Sequence, residues 1–301
     1  MTLPRALFGS LRPHQWTKNL VVLLPLVFSK HLFEEDAALR AGLAFVIFCV
    51  LSGAVYLVND LRDLEQDRLH PRKRSRPLAS GALPVGVARG AAILLLAGGL
   101  GAALILGPGF AAACLAYVVL NLAYSFGLKN VVILDVLAVS LGFVIRAVAG
   151  ALAIDVRFSS WLLVCTILLA LFLSLAKRRH ELVSLDAVAS EHRQILAEYS
   201  PYLLDQMISV VTASCLTAYA FYTMAPETVA KYQTERLALT IPFVLYGIFR
   251  YLYLVHRRER GGSPTDILLT DRPLLAAVAL WAIAVVVIVY GAPGAPMPRG
   301  G

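Results

Sequence analysis

Charged residues are scarce in this sequence. They make up 15% of the 301 residues, against about 25% in soluble globular domains. Hydrophobic residues account for 59%, and the mean hydropathy is +0.74. The apolar excess lies in long runs, as in membrane spans, and is not spread as the core of one soluble domain would require. The composition therefore excludes an ordinary soluble domain and predicts an all-α, polytopic membrane protein.

Several signatures of common catalytic and binding sites are also absent. The four cysteines stand alone in apolar segments without any Cys-x-x-Cys pair, which argues against disulfides and structural zinc. The six histidines share no ligand spacing, and no Ser-His-Asp or nucleophile-elbow pattern occurs. No Walker loop or GxGxxG turn is present for a nucleotide. No nucleic-acid partner is expected.

Long apolar runs dominate the rest of the chain. A bilayer core about 30 Å thick requires roughly 20 residues of helix, and turn-rich stretches such as "LGPG" and "ERGGSPTD" separate the runs. We predict one integral-membrane domain over residues 1–301. The nine predicted spans are 17–33, 40–60, 84–106, 109–127, 131–152, 159–176, 204–224, 237–255 and 273–291.

The distribution of lysine and arginine predicts the orientation. If the N-terminus is cytoplasmic, all but six of the 27 basic residues fall in cytoplasmic connections or at nearby helix ends. Basic residues are enriched on the cytoplasmic side of membrane proteins. The sequence therefore predicts a cytoplasmic N-terminus, an external C-terminus and a location in the inner or plasma membrane.

An acidic stretch, "NDLRDLEQD" at 59–67, follows the second predicted span. On a helix, Asp60, Asp63 and Asp67 would fall within an arc of about 60°, with Asn59 at its edge and Glu65 on the other side. Three such carboxylates repel one another unless a cation binds between them. Mg²⁺ is suited to this position, because it combines one or two carboxylates with phosphate and water oxygens. The alternative is an acidic helix end solvated by the cytoplasm.

Basic residues follow directly in "RKRSRPLASG". Arg74 and Arg76 could receive a polyphosphate held by the metal, or they could be ordinary cytoplasmic positive charges. Arg76 is distinguished by the proline after it, which restricts the backbone of the preceding residue. The acids and bases together predict a Mg²⁺-diphosphate site at the cytoplasmic face.

Other charges lie within or beside predicted spans, where ionisable groups are costly and usually functional. Lys129 occupies a short connection, and Asp135 and Arg146 lie on nearly the same face of the fifth span. Lys177, Arg178 and Glu181 end the sixth span. The N-terminal "LRPHQWTKN" brings Lys18 and Asn19 to the membrane surface, where Trp16 is an expected interfacial anchor.

The acidic stretch resembles the NDxxDxxxD signature of the UbiA superfamily of intramembrane prenyltransferases. "RSRPLASG" is similar to the RP-L-x-G turn that follows that signature in the superfamily, and the resemblance extends over essentially the whole chain. It implies a UbiA-like helical bundle. It also implies Mg²⁺ bound by Asp60, Asp63 and Asp67 with Asn59, the three aspartates being the expected catalytic residues.

Three further stretches resemble the branch whose members transfer a phosphoribosyl group to decaprenyl phosphate. They are "LRPHQWTKN", "NLAYSFGLKNVVILDVLAVSLGFVIRAVAG" and "LFLSLAKRRHEL". Aromatic prenyltransferases of the superfamily carry a second aspartate-rich motif near the end of their sixth span, where this chain has "KRRHE". The resemblance implies a Mg²⁺-dependent transfer from phosphoribosyl pyrophosphate to a polyprenyl phosphate, and it allows a homo-oligomer. The implied substrate-binding residues are Lys18, Asn19, Arg74, Arg76, Asn121, Tyr124, Lys129, Asp135, Arg146, Lys177, Arg178 and Glu181.

Two alternative functions remain open at this stage. The same first motif also serves prenyl transfer from a polyprenyl diphosphate to an aromatic acceptor such as 4-hydroxybenzoate. A transporter or lipid-binding protein without chemistry is the other alternative, and it would need charges in the middle of several spans.

Overall fold

The computed structural model describes residues 2–71, 73–157, 159–184, 198–257 and 264–291. Every regular element among these residues is helical, as predicted. The α-helices are α1 (Leu3–Ser10), α2 (Leu24–Phe28), α3 (Glu35–Arg62), α4 (Leu64–Leu69), α5 (Val85–Ala103), α6 (Pro108–Phe126), α7 (Leu134–Ala153), α8 (Ser160–Ser184), α9 (Pro201–Met224), α10 (Pro226–Tyr232), α11 (Ile241–Arg257), α12 (Pro264–Thr270) and α13 (Arg272–Gly291). Short 3-10 helices join some of them.

Eight helices in the described ranges are long and apolar enough to cross a membrane. They correspond to the predicted spans from 40–60 to 273–291, although α8 continues beyond the predicted end at 176 to Ser184 and includes the charged residues there. The predicted first span, 17–33, is wrong in detail. Residues Pro13–Leu23 form a 3-10 helix, α2 continues it only to Phe28, and Lys30 has a positive φ of 66°. Pro25 lies inside this segment and lacks the backbone donor that an uninterrupted α-helix would use there.

The structure divides the chain into two compact units, and α7 is shared between them. One unit contains Met1–Lys129 and Leu141–Arg157, and the other contains Asn130–Ser140 and Phe158–Gly301. The single domain predicted for residues 1–301 stays a prediction.

The first unit is built around α3, which packs against α5, α6 and the 3-10 helix. Its apolar core joins Phe48 and Leu51 of α3 to Phe110 of α6 and Ala149 of α7. The rings of Phe48 and Phe110 meet edge to face with centroids 6.0 Å apart. This packing fixes the position of the polar end of α3.

Helix α7 also packs closely on the 3-10 helix, and Gly150 makes this possible. A Cβ atom at Gly150 would lie 2.0 Å from the carbonyl oxygen of Val22. We therefore expect Gly150→Ala to lower the free energy of unfolding by about 1–3 kcal/mol, the usual cost of overpacking. Gly98→Ala is the matched control, because a Cβ atom at that position would have no other atom within 4 Å, and alanine favours a helix over glycine by about 1 kcal/mol. Equal thermal stability of the two variants would contradict this close approach.

The second unit contains α8, α9, α11 and α13, with α8 packed on α9 and α11 on α13. Its core joins Phe172 and Leu175 of α8 to Leu204 of α9 and to Tyr251 and Leu254 of α11. Apolar residues predominate along these helices, apart from the charged stretch at the end of α8.

The predicted opposite location of the two chain ends has a direct test. A 3-10 helix rises about 2 Å per residue, so Pro13–Leu23 and Leu24–Phe28 together cover roughly 30 Å, the thickness of a bilayer core. With this segment as the ninth crossing, a reporter fused after Gly301 should score as external, and one fused after Gly127 as cytoplasmic. A cytoplasmic score at both positions would refute the predicted topology.

Candidate active site

The acidic end of α3 is held by a basic turn. Asp60 and Asp67 are only 3% and 2% exposed. One guanidinium nitrogen of Arg76, Nη1, lies 3.1 Å from Asp60 Oδ1 and 2.5 Å from Asp67 Oδ2. The turn after Arg76 is fixed by buried Leu78 and by a hydrogen bond from the Leu83 amide to the Pro77 carbonyl. A single cation therefore bridges two carboxylates from successive helices.

Asp63 does not share this cation. Helix α3 ends at Arg62 and α4 begins at Leu64, with Asp63 between them at φ −90° and ψ 12°. The prediction of three carboxylates on one face of a continuous helix is thus corrected, because the break turns Asp63 toward Lys129. Lys129 Nζ lies 3.0 and 3.2 Å from its two carboxylate oxygens.

The other polar residues of the stretch follow the predicted arrangement. The Ser125 hydroxyl of α6 donates to Asn59 Oδ1. Glu65 lies on the outside, where its side chain is 81% exposed and pairs with Arg68.

Three further predicted substrate-binding residues lie in α6 and in the basic turn. Asn121 donates to the Tyr117 carbonyl, and Tyr124 is half-buried in α6. Arg74 is exposed in the 3-10 turn Lys73–Ser75.

Arg12 is a second cation at Asp60, and sequence reasoning gave it no role. Its guanidinium donates to Asp60 Oδ1 and lies over the ring of Tyr56, with Cζ 4.7 Å from the centroid. Its backbone is left-handed, with φ 53° and ψ 63°, a conformation that costs free energy in a non-glycine residue and is often found at functional sites. The signal in the sequence is a basic residue directly before Pro13.

The acids of this unit fit a magnesium ion shared with a substrate. Within the described ranges no group of three acidic, histidine or cysteine residues is close enough to enclose a metal. Oδ1 of Asp67 is buried and has no hydrogen-bond partner there, with Lys73 Nζ 3.5 Å away. Mg²⁺ commonly takes one or two carboxylates and completes its shell with water and phosphate oxygens. Asp60 and Asp67 already share one cation, so they are the residues best placed to hold such an ion.

The first unit contains a second polar cluster, centred on Arg146 of α7. Arg146 Nε donates to Asn19 Oδ1 at 2.9 Å, and Nη2 donates to the Tyr117 hydroxyl at 2.9 Å. Asn19 is 1% exposed and also donates to Ser52 of α3. Among the described residues, Asp135 is not a hydrogen-bond partner of Arg146, although the sequence puts both on nearly the same face of the fifth span.

In the second unit, Asp135 pairs with Arg178 of α8 instead. Asp135 is fully buried and Arg178 is 4% exposed, with Nε 2.8 Å from Asp135 Oδ2. Arg178 Nη1 also donates to Glu181, and Lys177 Nζ lies 3.7 Å from that carboxylate. The three predicted residues of the "KRRHE" stretch therefore belong to one ionic cluster.

Tyr199 completes this cluster and was not identified from the sequence. Its hydroxyl donates to Asp135 Oδ1 at 2.8 Å and accepts from the Ile133 amide at 2.7 Å. Burial raises the pKa of Tyr199 to about 12, and the adjacent carboxylate acts in the same direction. The phenol therefore remains a hydrogen-bond donor to Asp135 at neutral pH.

Comparison with known proteins decides the family. The model of the UbiA prenyltransferase family matches residues 22–265. The chain belongs to this family. It is 34% identical over 297 residues to decaprenyl-phosphate phosphoribosyltransferase of Corynebacterium glutamicum, covering 96% of this chain and 88% of the relative. The enzyme of the same name from Mycolicibacterium smegmatis is 34% identical over 290 residues, covering 93% and 91%.

A solved structure shows the same fold. A UbiA homologue from Archaeoglobus fulgidus bound to GPP and Mg²⁺ superposes with a TM-score of 0.73 at 18% identity, covering 95% of this chain and 99% of that one. This UbiA family member is therefore a multi-pass membrane protein and a transferase, which excludes the transporter alternative.

Proposed function

We propose that this UbiA family member transfers a 5-phosphoribosyl group from phosphoribosyl pyrophosphate to a polyprenyl phosphate and releases pyrophosphate. The supporting observation is the charge arrangement at the end of α3. Three aspartates there meet four cations, Arg12, Lys73, Arg76 and Lys129. The similarity to enzymes named decaprenyl-phosphate phosphoribosyltransferase over nearly the whole chain supports the choice of substrates.

The donor would bind at the acidic end of α3. Magnesium held by Asp60 and Asp67, with Asp63 or Asn59 nearby, would supply charge neutralisation for the departing pyrophosphate. If Asp60 and Asp67 held the metal, the guanidinium groups of Arg12 and Arg76, which now contact these carboxylates, would be available to bind phosphate oxygens. Such charge-assisted hydrogen bonds are about twice as strong as neutral ones.

The transfer replaces one bond to ribose C1 by another. The bond from C1 to pyrophosphate breaks, positive charge develops at the ribosyl centre, and an oxygen of the lipid phosphate forms the new bond. That oxygen is already ionised at neutral pH, so no general base is required. The residues of this site therefore act by positioning and by electrostatic stabilisation. Lys18 and Lys177 remain proposed substrate contacts.

The membrane location of this reaction is also part of the proposal. From the lysine and arginine bias, we assign the α3–α4 connection and the "KRRHE" stretch to the cytoplasmic face of the inner or plasma membrane. Phosphoribosyl pyrophosphate is a soluble, highly charged molecule, so a site open to the cytoplasm suits it. The lipid tail would lie among the apolar spans.

The test is a transfer assay with purified protein in detergent. With ribose-labelled phosphoribosyl pyrophosphate, Mg²⁺ and polyprenyl phosphate, the label should become extractable into organic solvent, and EDTA should abolish this transfer.

Prenyl transfer to an aromatic acceptor is the second candidate, since the family model describes prenyltransferases. Product from a prenyl diphosphate and 4-hydroxybenzoate, with none from phosphoribosyl pyrophosphate, would establish that candidate instead.

A further inference from the structure

Arg146 differs in its partners from the other basic residues expected to bind substrate. Lys129 and Arg178 pair with aspartates, and Arg76 bridges two of them. The hydrogen-bond partners of Arg146 in the described part of the chain are all neutral: Asn19 Oδ1, the Gly142 carbonyl and the Tyr117 hydroxyl. Its side chain is buried, at 6% exposure, and no carboxylate among the described residues pairs with it.

The surroundings hold the guanidinium in a fixed orientation. The rings of Tyr117 and Phe143 lie with their centroids 4.6 and 5.2 Å from Cζ, which adds cation–π attraction. An arginine side chain has five N–H donors, and the three bonds above use one each on Nε, Nη1 and Nη2. One N–H group on each Nη nitrogen therefore remains for a ligand.

A purely structural role does not explain this arrangement well. Burying a charge in a membrane span is costly, and such residues usually contact a substrate or an ion. A neutral side chain such as glutamine could link Asn19 to Tyr117 without that cost. The free-energy cost of the positive charge is offset if an anion binds to it.

A polar track joins this cluster to the acidic end of α3. Ser52, Tyr56 and Asp60 are spaced four residues apart, so they lie along one face of the helix. Ser52 accepts from Asn19, and Arg12 lies over Tyr56 while bonding to Asp60. Eight residues of helix place Ser52 about 12 Å from Asp60. A substrate with anionic groups at both ends could therefore contact both sites.

We propose that Arg146, positioned by Asn19, binds a phosphate monoester group of a substrate inside the first unit. This inference rests on the proposed function, because both proposed substrates carry such a group. It is the 5-phosphate in the ribosyl donor and the head group in the polyprenyl phosphate. The site is separate from the magnesium-diphosphate site, to which the donor's pyrophosphate is assigned.

Asn19→Asp provides the most specific test. The new carboxylate would lie beside Arg146 Nε and neutralise the cation while keeping a partner for it. If Arg146 is only structural, this change should leave the protein as stable and as active as before. If Arg146 binds phosphate, the internal counterion should raise the KM of the affected substrate about 10- to 100-fold, the range for losing a hydrogen bond to a charged group. Arg146→Met should have a similar effect on KM.

Two substrate series identify which phosphate is bound. For the donor, kcat/KM of phosphoribosyl pyrophosphate is compared with that of ribose 1-pyrophosphate, which lacks the 5-phosphate. If Asn19→Asp no longer prefers phosphoribosyl pyrophosphate over ribose 1-pyrophosphate, the site binds the 5-phosphate of the donor. If only the KM for polyprenyl phosphate rises, the site binds the lipid phosphate. Cys49→Ala is the matched control, because it removes the sulfur that accepts from Asn19 at 3.4 Å without adding charge, and it should keep both values. Unchanged KM values for both substrates in Asn19→Asp and Arg146→Met would overturn the proposal.

A binding measurement separates this inference from the proposed function. Ribose 5-phosphate and inorganic phosphate should each raise the melting temperature of the wild-type protein and not that of Asn19→Asp. If the wild-type protein shows this shift but transfers no phosphoribosyl group, the proposed function fails and the phosphate site stands. The opposite result is also possible: the wild-type protein transfers the phosphoribosyl group, but neither ligand raises its melting temperature and the KM values do not change in the variants. In that case the phosphate site is refuted and the proposed function stands.

Discussion

Asp60→Asn and Asp67→Asn are each expected to lower kcat/KM by about 10²- to 10³-fold, the scale for removing an electrostatic contact to developing charge. Both carboxylates are buried and share Arg76. An amide keeps the shape of the side chain but loses the negative charge that would bind magnesium. The reduction should therefore appear in turnover and in the Mg²⁺ concentration that half-saturates activity, while the helical circular-dichroism signal is retained.

Glu65→Gln is the matched control for these two variants. Glu65 lies in the same acidic stretch, but its side chain is exposed and pairs with Arg68. We expect activity and Mg²⁺ dependence close to those of the wild type. A loss in Glu65→Gln as large as that in Asp60→Asn would show that the general negative charge of the stretch matters, and it would refute the assignment of individual carboxylates.

Asp63→Asn separates the two kinds of acid within the motif. Asp63 pairs with Lys129 and lies outside the pair bridged by Arg76. If Asp63 also holds the metal, its variant should match Asp60→Asn in Mg²⁺ dependence. If it only orients Lys129, the KM of the donor should rise while the Mg²⁺ requirement stays the same.

The sequence predicts the spans well because their signal is local. Apolar runs of about 20 residues identify a helix without any knowledge of its neighbours, and eight of the nine predicted spans match helices in the structure. The first predicted span departs from the prediction because residues Pro13–Leu23 form a 3-10 helix and Pro25 lacks the backbone donor of a continuous α-helix. Hydropathy carries no information on that change.

Pairings between charged residues could not be read from helical periodicity. The spacing of Asp135 and Arg146 suggested a shared face, but their actual partners, Arg178 and Asn19, come from other elements. Arg12 and Tyr199 were missed for the same reason, since each reaches its aspartate from a distant part of the sequence. Motif resemblance proposed the residues of the site, and tertiary packing determines which of them meet.

Arg178→Leu is expected to destabilise the protein by about 3–5 kcal/mol, the usual cost of removing one partner of a buried ion pair. Asp135 is fully buried, and the Tyr199 hydroxyl would be its remaining hydrogen-bond donor. Arg178→Lys should also be harmful, because lysine lacks the fork that contacts Asp135 and Glu181 together. Melting temperature in detergent measures both effects.

The double variant Asp135→Leu with Arg178→Leu distinguishes a structural pair from a substrate contact. Apolar replacement of a whole buried pair is often neutral or stabilising, so the double variant should regain most of the lost stability. If Arg178 also binds a substrate anion, activity will stay low after stability returns. Loss of activity in Arg178→Leu without any loss of stability would contradict the structural role of the pair.

Lys177→Ala tests substrate binding at the same helix end without disturbing that pair. Its side chain is 43% exposed and lies 3.7 Å from Glu181, so its removal should leave the melting temperature unchanged. If the end of α8 faces a phosphate-bearing substrate, kcat/KM should fall about ten- to a hundredfold, as for a lost hydrogen bond to a charged group. Wild-type kinetics in Lys177→Ala and in the stabilised double variant would show that the basic end of α8 only maintains structure and orientation. The phosphoribosyl assignment would then rest on the cations at the end of α3 and on Arg146.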